Sequence, residues 1–174
     1  MTRNSQSESR HGVFMNISGS GVFITGKPGI GKSSLAIELL HHDYQLIADD
    51  VVDFELDKNS NVVGHCPDML SGLLHSRELG LLSVPDLFGT EAWVTQFKLD
   101  YIIHLQRNRL QSSAIMPEAD FYTVCGKPFS VLKLDINNPA SLHHRIMTWL
   151  IKQSTNNNTE TDFCKRQQTQ MALQ

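Results

Sequence analysis

Cysteine is scarce in this chain. Cys66, Cys125 and Cys164 are three among 174 residues, odd in number and scattered, with no C-x-x-C pair. Neither a disulfide framework nor a cysteine zinc site is suggested, and a reduced, cytoplasmic setting is expected. Long apolar runs are also missing. No stretch approaches the roughly 20 residues of a membrane-spanning helix, so no membrane partner is expected. The segment Met1 to Arg10 is polar and lacks the apolar centre of a signal peptide. Charge of one sign is missing too: the net charge is −3 with the histidines neutral, and no basic stripe stands out. That argues against nucleic acid as the main partner. A hydrophobic fraction of 40% and a length of 174 residues suit one globular domain with a real core.

What is present is Gly26-Lys27-Pro28-Gly29-Ile30-Gly31-Lys32-Ser33, followed by Ser34. It fits G-x-x-x-x-G-K-[ST], the phosphate-binding P-loop. The glycines let the backbone curl and leave its N–H groups free for phosphate oxygens. Lys32 is placed to reach the β- and γ-phosphates, and the Ser33 hydroxyl to ligate Mg²⁺. The apolar run 21–25 reads as a strand entering the loop. Residues 34–40 read as a helix leaving it, with the positive end of its dipole toward the phosphates. Residues 26–34 are therefore the expected nucleotide-binding segment.

The rest of the chain is ordered around that loop. Residues 1–10 are expected as a flexible polar tail, 11–153 as the catalytic domain, and 154–174 as a polar disordered tail. Residues 11–17 read as a strand forming a hairpin with the P-loop strand across Ser18-Gly19-Ser20. A second hairpin joins 51–56 to 62–65. Residues 67–74 read as a short helix, 79–84 as a strand or loop, 85–89 as one helical turn and 99–105 as a strong strand. Residues 107–120 read as a loop, 121–124 and 129–134 as strands, and 139–152 as the last helix. Turns at 18–20 and 57–61 are too short for helical crossovers, so a doubly wound parallel sheet is not expected. The expected fold is α/β, with a mixed, largely antiparallel sheet and the P-loop helix packed on it.

Asp49-Asp50 end an apolar strand soon after the P-loop helix. P-loop enzymes use a carboxylate there to order the metal or its waters, and a second carboxylate can take the proton of an attacking hydroxyl. A solvated turn is the plainer reading. His11 begins the strand before the loop; spacing does not say whether it faces the phosphates, and a lone histidine reads as structural. The pairs His41-His42 and His143-His144 fall at helix ends and read as structural. His65, Cys66 and His75 lack ligand-like spacing.

His11-Gly12-Val13, the P-loop and Leu46-Ile47-Ala48-Asp49-Asp50 together resemble the catalytic domain of bacterial HPr kinase/phosphorylase. The resemblance continues through 64–70, 72–80, 87–89 and 100–105. It is to the catalytic, C-terminal domain, as in the short single-domain forms of proteobacteria. The family phosphorylates a regulatory serine on the carrier protein HPr with ATP and Mg²⁺, and reverses this with inorganic phosphate. The resemblance implies that Lys32 holds the transferring group and that Ser33 and Asp50 serve the metal. It implies Asp50 as base, with Asp49 assisting, and His11 as a further active-site residue. Arg109 matches a family arginine at a shorter spacing. Longer members form hexamers, so a homo-oligomer is implied. The family signature has a metal-binding Glu at the position of His75 and a glycine at that of Glu78. Its Gly-Arg-Asn loop reads Leu134 to Ala140 here, without arginine. The expected function is an HPr-type serine kinase. The alternatives are a P-loop kinase of a small-molecule hydroxyl and a nucleotide-binding regulator that no longer transfers phosphate.

Overall fold

Alternation along two adjacent strands sets the layers of this protein. The computed structural model describes residues 7–107, 120–155 and 159–172. In β2 (Val13–Ile17), Val13, Met15 and Ile17 face one way and Phe14 the other. In β3 (Ser20–Gly26), Val22 and Ile24 share the first side and Phe23 the second. Strand residues alternate faces, so one sheet can carry a core on each side. On the first side lie Leu35, Ala36 and Leu39 of α1 (Lys32–Leu40), with Ile146 and Leu150 of a later helix. On the second, Phe14 and Phe23 meet Phe54 edge-on, with ring centroids 5.6 and 5.2 Å away. Such aromatic pairs add about 0.5–1.5 kcal/mol each beyond their buried area.

The chain begins in β1 (Ser7–His11) and runs through β2, β3 and α1 to β4 (Gln45–Ala48), β5 (Val51–Leu56) and β6 (Val62–His65). A 3-10 turn at Asp68–Leu70 leads to the hairpin β7 (Leu73–Ser76) and β8 (Gly80–Ser83), then α2 (Val84–Phe88). Next come β9 (Gln96–Lys98), β10 (Tyr101–Gln106), β11 (Asp120–Val124), β12 (Lys127–Asp135), α3 (Leu142–Ser154) and α4 (Thr159–Ala172). The strands form a six-stranded sheet, β11-β12-β10-β3-β2-β4, and a four-stranded sheet, β1-β5-β6-β9. β10 runs parallel to β3 and β12, and the other pairings are antiparallel. The mixed, largely antiparallel character expected from the short turns is present.

Both expected hairpins form. Ser18 and Gly19 turn with φ of 51° and 83°, the conformation that closes a two-residue hairpin, and Asn16 Oδ1 accepts the Gly19 N–H. In the second, Asp57 Oδ1 accepts the N–H groups of Asn59 and Asn61.

Four expectations need correction. Residues 7–10 are strand rather than tail. Their polar sequence hides this, because β1 is an edge strand held by backbone pairing to β5. Residues 11–17 are not one strand: the chain breaks at Gly12 and passes between sheets. His11 thus pairs with Val51, not with the P-loop strand. A Cβ on Gly12 would sit 2.4 Å from the Phe23 ring, so only glycine fits this step. Residues 67–74 form one 3-10 turn and then β7, because Gly72, at φ 70°, ends the turn. The segment expected to be disordered after 153 contains α4, whose Lys, Arg, Gln, Met and Ala are good helix formers despite its polarity. Arg109 lies outside the described residues.

Candidate active site

The P-loop follows directly from β3. Gly29 and Gly31 hold φ of 74° and 108°, which side-chain-bearing residues rarely adopt. Gly31 is the N-cap of α1 and has no side chain to satisfy the first-turn N–H groups, and no acidic residue sits in that turn. The positive end of the helix is thus left for an anion. The Lys32 ammonium reaches back across the loop to the carbonyls of Gly26 and Lys27, at 3.2 and 3.4 Å.

The carboxylates stand where β4 of one sheet becomes β5 of the other. Asp49 is 4% exposed. Its Oδ1 accepts the Ser33 hydroxyl at 3.1 Å and its Oδ2 accepts the His75 N–H at 2.8 Å. Burial pushes its carboxyl above the usual value, and those hydrogen bonds partly oppose that rise. Asp50 points the other way, with its side chain 76% exposed. The Val51 N–H bonds the Asp49 carbonyl across it at 2.9 Å, and Asp50 has φ 70°. This three-residue turn is rare, and strain of its kind costs about 1–3 kcal/mol. Gly12 N–H donates to the Asp50 carbonyl at 3.0 Å. His11 Nδ1 lies 3.2 Å from that carbonyl and 3.8 Å from Asp50 Oδ1. Two of the chain's crossings between the sheets, at Gly12 and at Asp49-Asp50, are thus tied together and bring His11 to Asp50.

The hydroxyl of Ser33 and the carboxylates are hard oxygen donors, which fits Mg²⁺. That ion is typically held by one or two protein oxygens plus substrate phosphates. Among the described residues no group of three or more His, Cys, Asp or Glu gathers as a metal site, so His65, Cys66 and His75 form none. Burial and nearby carboxylates push the Cys66 thiol up to about 11, which makes it inert.

The geometry adds one residue. Arg77, in the β7–β8 turn, lies against the loop. A Cβ on Gly29 would be 2.9 Å from its Nη2. It belongs to the segment that resembles the family signature, but no local pattern in the sequence places it over the loop.

The family described as HPr Serine kinase C-terminal domain matches residues 2–167. The chain belongs to that family. Over 165 residues it is 34% identical to the HPr kinase/phosphorylase of Cupriavidus metallidurans, covering 92% of this chain and 51% of that protein. Over 101 residues it is 44% identical to the HPr kinase/phosphorylase of Bordetella avium, covering 58% of this chain and 33% of that protein. The chain thus spans about half or less of the length of the curated relatives it matches. The solved structure titled as the Hpr(Ser) kinase/phosphatase from Coxiella burnetii superposes with a TM-score of 0.76 at 28% identity. It covers 85% of this chain and 99% of its own.

In this member of the HPr kinase family, His75 lies in β7 and Glu78 in the β7–β8 turn. The His75 side chain is exposed, and only its backbone N–H serves Asp49. Glu78 is exposed in the same turn as Arg77. No helix among the described residues is long and apolar enough to cross a membrane.

Proposed function

We propose that this protein is an ATP- and Mg²⁺-dependent serine kinase of HPr type, acting in the cytoplasm on the phosphocarrier HPr or an HPr-like protein. The observation that carries the reading is the corner at Asp49-Asp50. There one carboxylate is locked to the P-loop serine, and the next is held out in solvent beside His11. The loop amides and Lys32 bind the phosphates of ATP, and Arg77 closes over the loop. Ser33, oriented by Asp49, and Asp50 would hold Mg²⁺, which when bound would supply positive charge against the phosphates of ATP. Asp50 accepts the proton of the serine hydroxyl as its oxygen attacks the γ-phosphoryl group, and the preset positive groups stabilise the charge that develops. The relatives' names support the substrate, and they support a reverse reaction in which inorganic phosphate removes the group. A homo-oligomer is part of this reading.

The exposed His75, where the family carries a carboxylate, favours a second reading: a nucleotide-binding regulator without transfer. One experiment separates the two. Purified HPr is incubated with labelled ATP and Mg²⁺, with Asp50→Ala and an HPr lacking the target serine as controls. Label on HPr that needs both Asp50 and the serine supports the kinase. Tight Mg-ATP binding with no labelled acceptor supports the regulator. Adding inorganic phosphate to labelled HPr then tests reversal.

A further inference from the structure

The loop has two flanks, and the carboxylates occupy one of them. Asp49, Asp50 and His11 lie on the β2–β4 side of β3. On the other side β10 runs parallel to β3, with Thr25 opposite His104 and Gly26 opposite Leu105. The two strands therefore end at the same level, and ligands of such sheets settle outside the carboxyl ends of parallel strands. A cavity of about 290 Å³ lies there, lined by Lys27, Ile30, His104, Leu105, Gln106 and Arg107. Two of these residues belong to the P-loop itself. A Cβ on Gly26 would come within 2.6 Å of the Leu105 carbonyl, so the bare glycine is what lets β10 close up as the far wall.

The structure assigns this cavity to the nucleoside end of the nucleotide. This rests on the proposed use of a nucleoside triphosphate and extends it to the part of that molecule the loop does not hold. The lining is mixed in the way a base and ribose require. Ile30 and Leu105 are apolar, His104 offers a flat ring, and the Gln106 amide can both donate and accept along a base edge. Lys27 and Arg107 bring positive charge where the ribose joins the phosphate chain. The volume is close to the lower end of small-molecule sites, about 300 Å³, which suits a base better than a large ligand. The order across the molecule is then base at β10, phosphates on the loop, and γ-phosphoryl group at Asp50. Inorganic phosphate alone would use the cations and leave the apolar wall and Gln106 without a role.

The test compares Mg-ATP with inorganic tripolyphosphate, which keeps the phosphates and lacks the nucleoside. Binding of each is measured by calorimetry at low salt to the wild-type chain, His104→Ala and Gln106→Ala. The last two changes leave the positive charge of Lys27 and Arg107 in place. Wild type is expected to prefer ATP. Each variant should lose about tenfold in ATP affinity, in line with base stacking and edge contacts, with tripolyphosphate affinity unchanged. Unchanged tripolyphosphate binding also reports a folded loop. Equal wild-type affinity for the two ligands would overturn the assignment while leaving phosphate binding intact. So would variants that weaken both ligands alike, or neither. If the wild type binds neither ligand, the nucleotide reading falls, and this assignment falls with it.

Discussion

Asp49 and Asp50 are neighbours in the chain and opposites in surroundings. Asp49 is buried, both its oxygens are bonded, and its partners come from α1 and β7. Asp50 has an exposed side chain at positive φ, and its backbone carbonyl is fixed by Gly12. The difference arises at the junction of two sheets. Alternation sends adjacent side chains to opposite sides, and the tight turn between β4 and β5 magnifies this. A position held by fixed bonds suits an orienting group. A carboxylate reachable by a protein hydroxyl suits a base. On the proposed reading, the pair would divide one task between an orienting group, Asp49, and a base, Asp50.

The largest effect that would break this division is expected at Asp50. Asp50→Asn should cut labelled-phosphate transfer to HPr by about 10²–10⁴-fold, the usual contribution of a positioned base. The asparagine carbonyl oxygen can still ligate Mg²⁺, so affinity for Mg-ATP should stay within a few-fold, and the thermal midpoint should hold or rise, since asparagine tolerates positive φ. Transfer surviving intact would remove Asp50 from the role of base.

Asp49 should respond in stability first. Asp49→Ala leaves the Ser33 hydroxyl and His75 N–H without their acceptor, which costs about 1–3 kcal/mol for a buried group. Asp49→Asn keeps an acceptor and should recover part of that. The pH dependence sharpens the contrast. Burial raises the folded carboxyl above its ordinary 3.8, so the native state holds the proton more tightly than the unfolded chain. Stability from this group therefore falls as pH rises from 3.8 through the raised value. Urea unfolding across that window should show the fall in wild type and its loss in Asp49→Asn.

The parts legible in the sequence are those whose chemistry demands fixed spacing. The P-loop, its strand and helix, the two hairpins and the carboxylates at a strand end all read directly. Gly12 did not, because residues 13–17 are continuously strand-like and nothing local marks a change of sheet. Its clash with Phe23 exists only once β3 is alongside. Arg77 was out of reach for the same reason, since the β7–β8 hairpin meets the loop through tertiary folding alone. The cavity at β10 depends on parallel pairing with β3, which no turn residue announces. The opposite exposures of Asp49 and Asp50 were accessible in principle, because adjacent residues at a strand end face opposite ways.

Arg77 should give a smaller and different signature. Losing one exposed guanidinium at the loop is expected to cost about 1 kcal/mol, roughly fivefold in Kd. Arg77→Ala should weaken ATP and tripolyphosphate alike, because the contact is with the phosphate end. Arg77→Lys should recover part of the affinity, as charge returns without the planar fork. An effect on ATP alone would move Arg77 from the phosphates to the nucleoside.

The smallest effect is expected at His11, and its direction depends on which of its two contacts matters. The ring stands 3.8 Å from the Asp50 carboxylate with 83% of the side chain exposed. An exposed pair of this kind is worth about 0.2–1 kcal/mol. The second contact runs from Nδ1 to the Asp50 carbonyl at 3.2 Å, beside the Gly12 bond to the same oxygen. A donor there helps hold the strained turn that presents Asp50. His11→Ala should lower kcat about two- to fivefold with little change in ATP affinity, because both polar contacts of His11 are with Asp50. His11→Asn places an amide donor near the position of Nδ1. Rescue by asparagine assigns His11 to the turn, as a positioning residue. Failure of asparagine where histidine works assigns the effect to the ring beside the carboxylate.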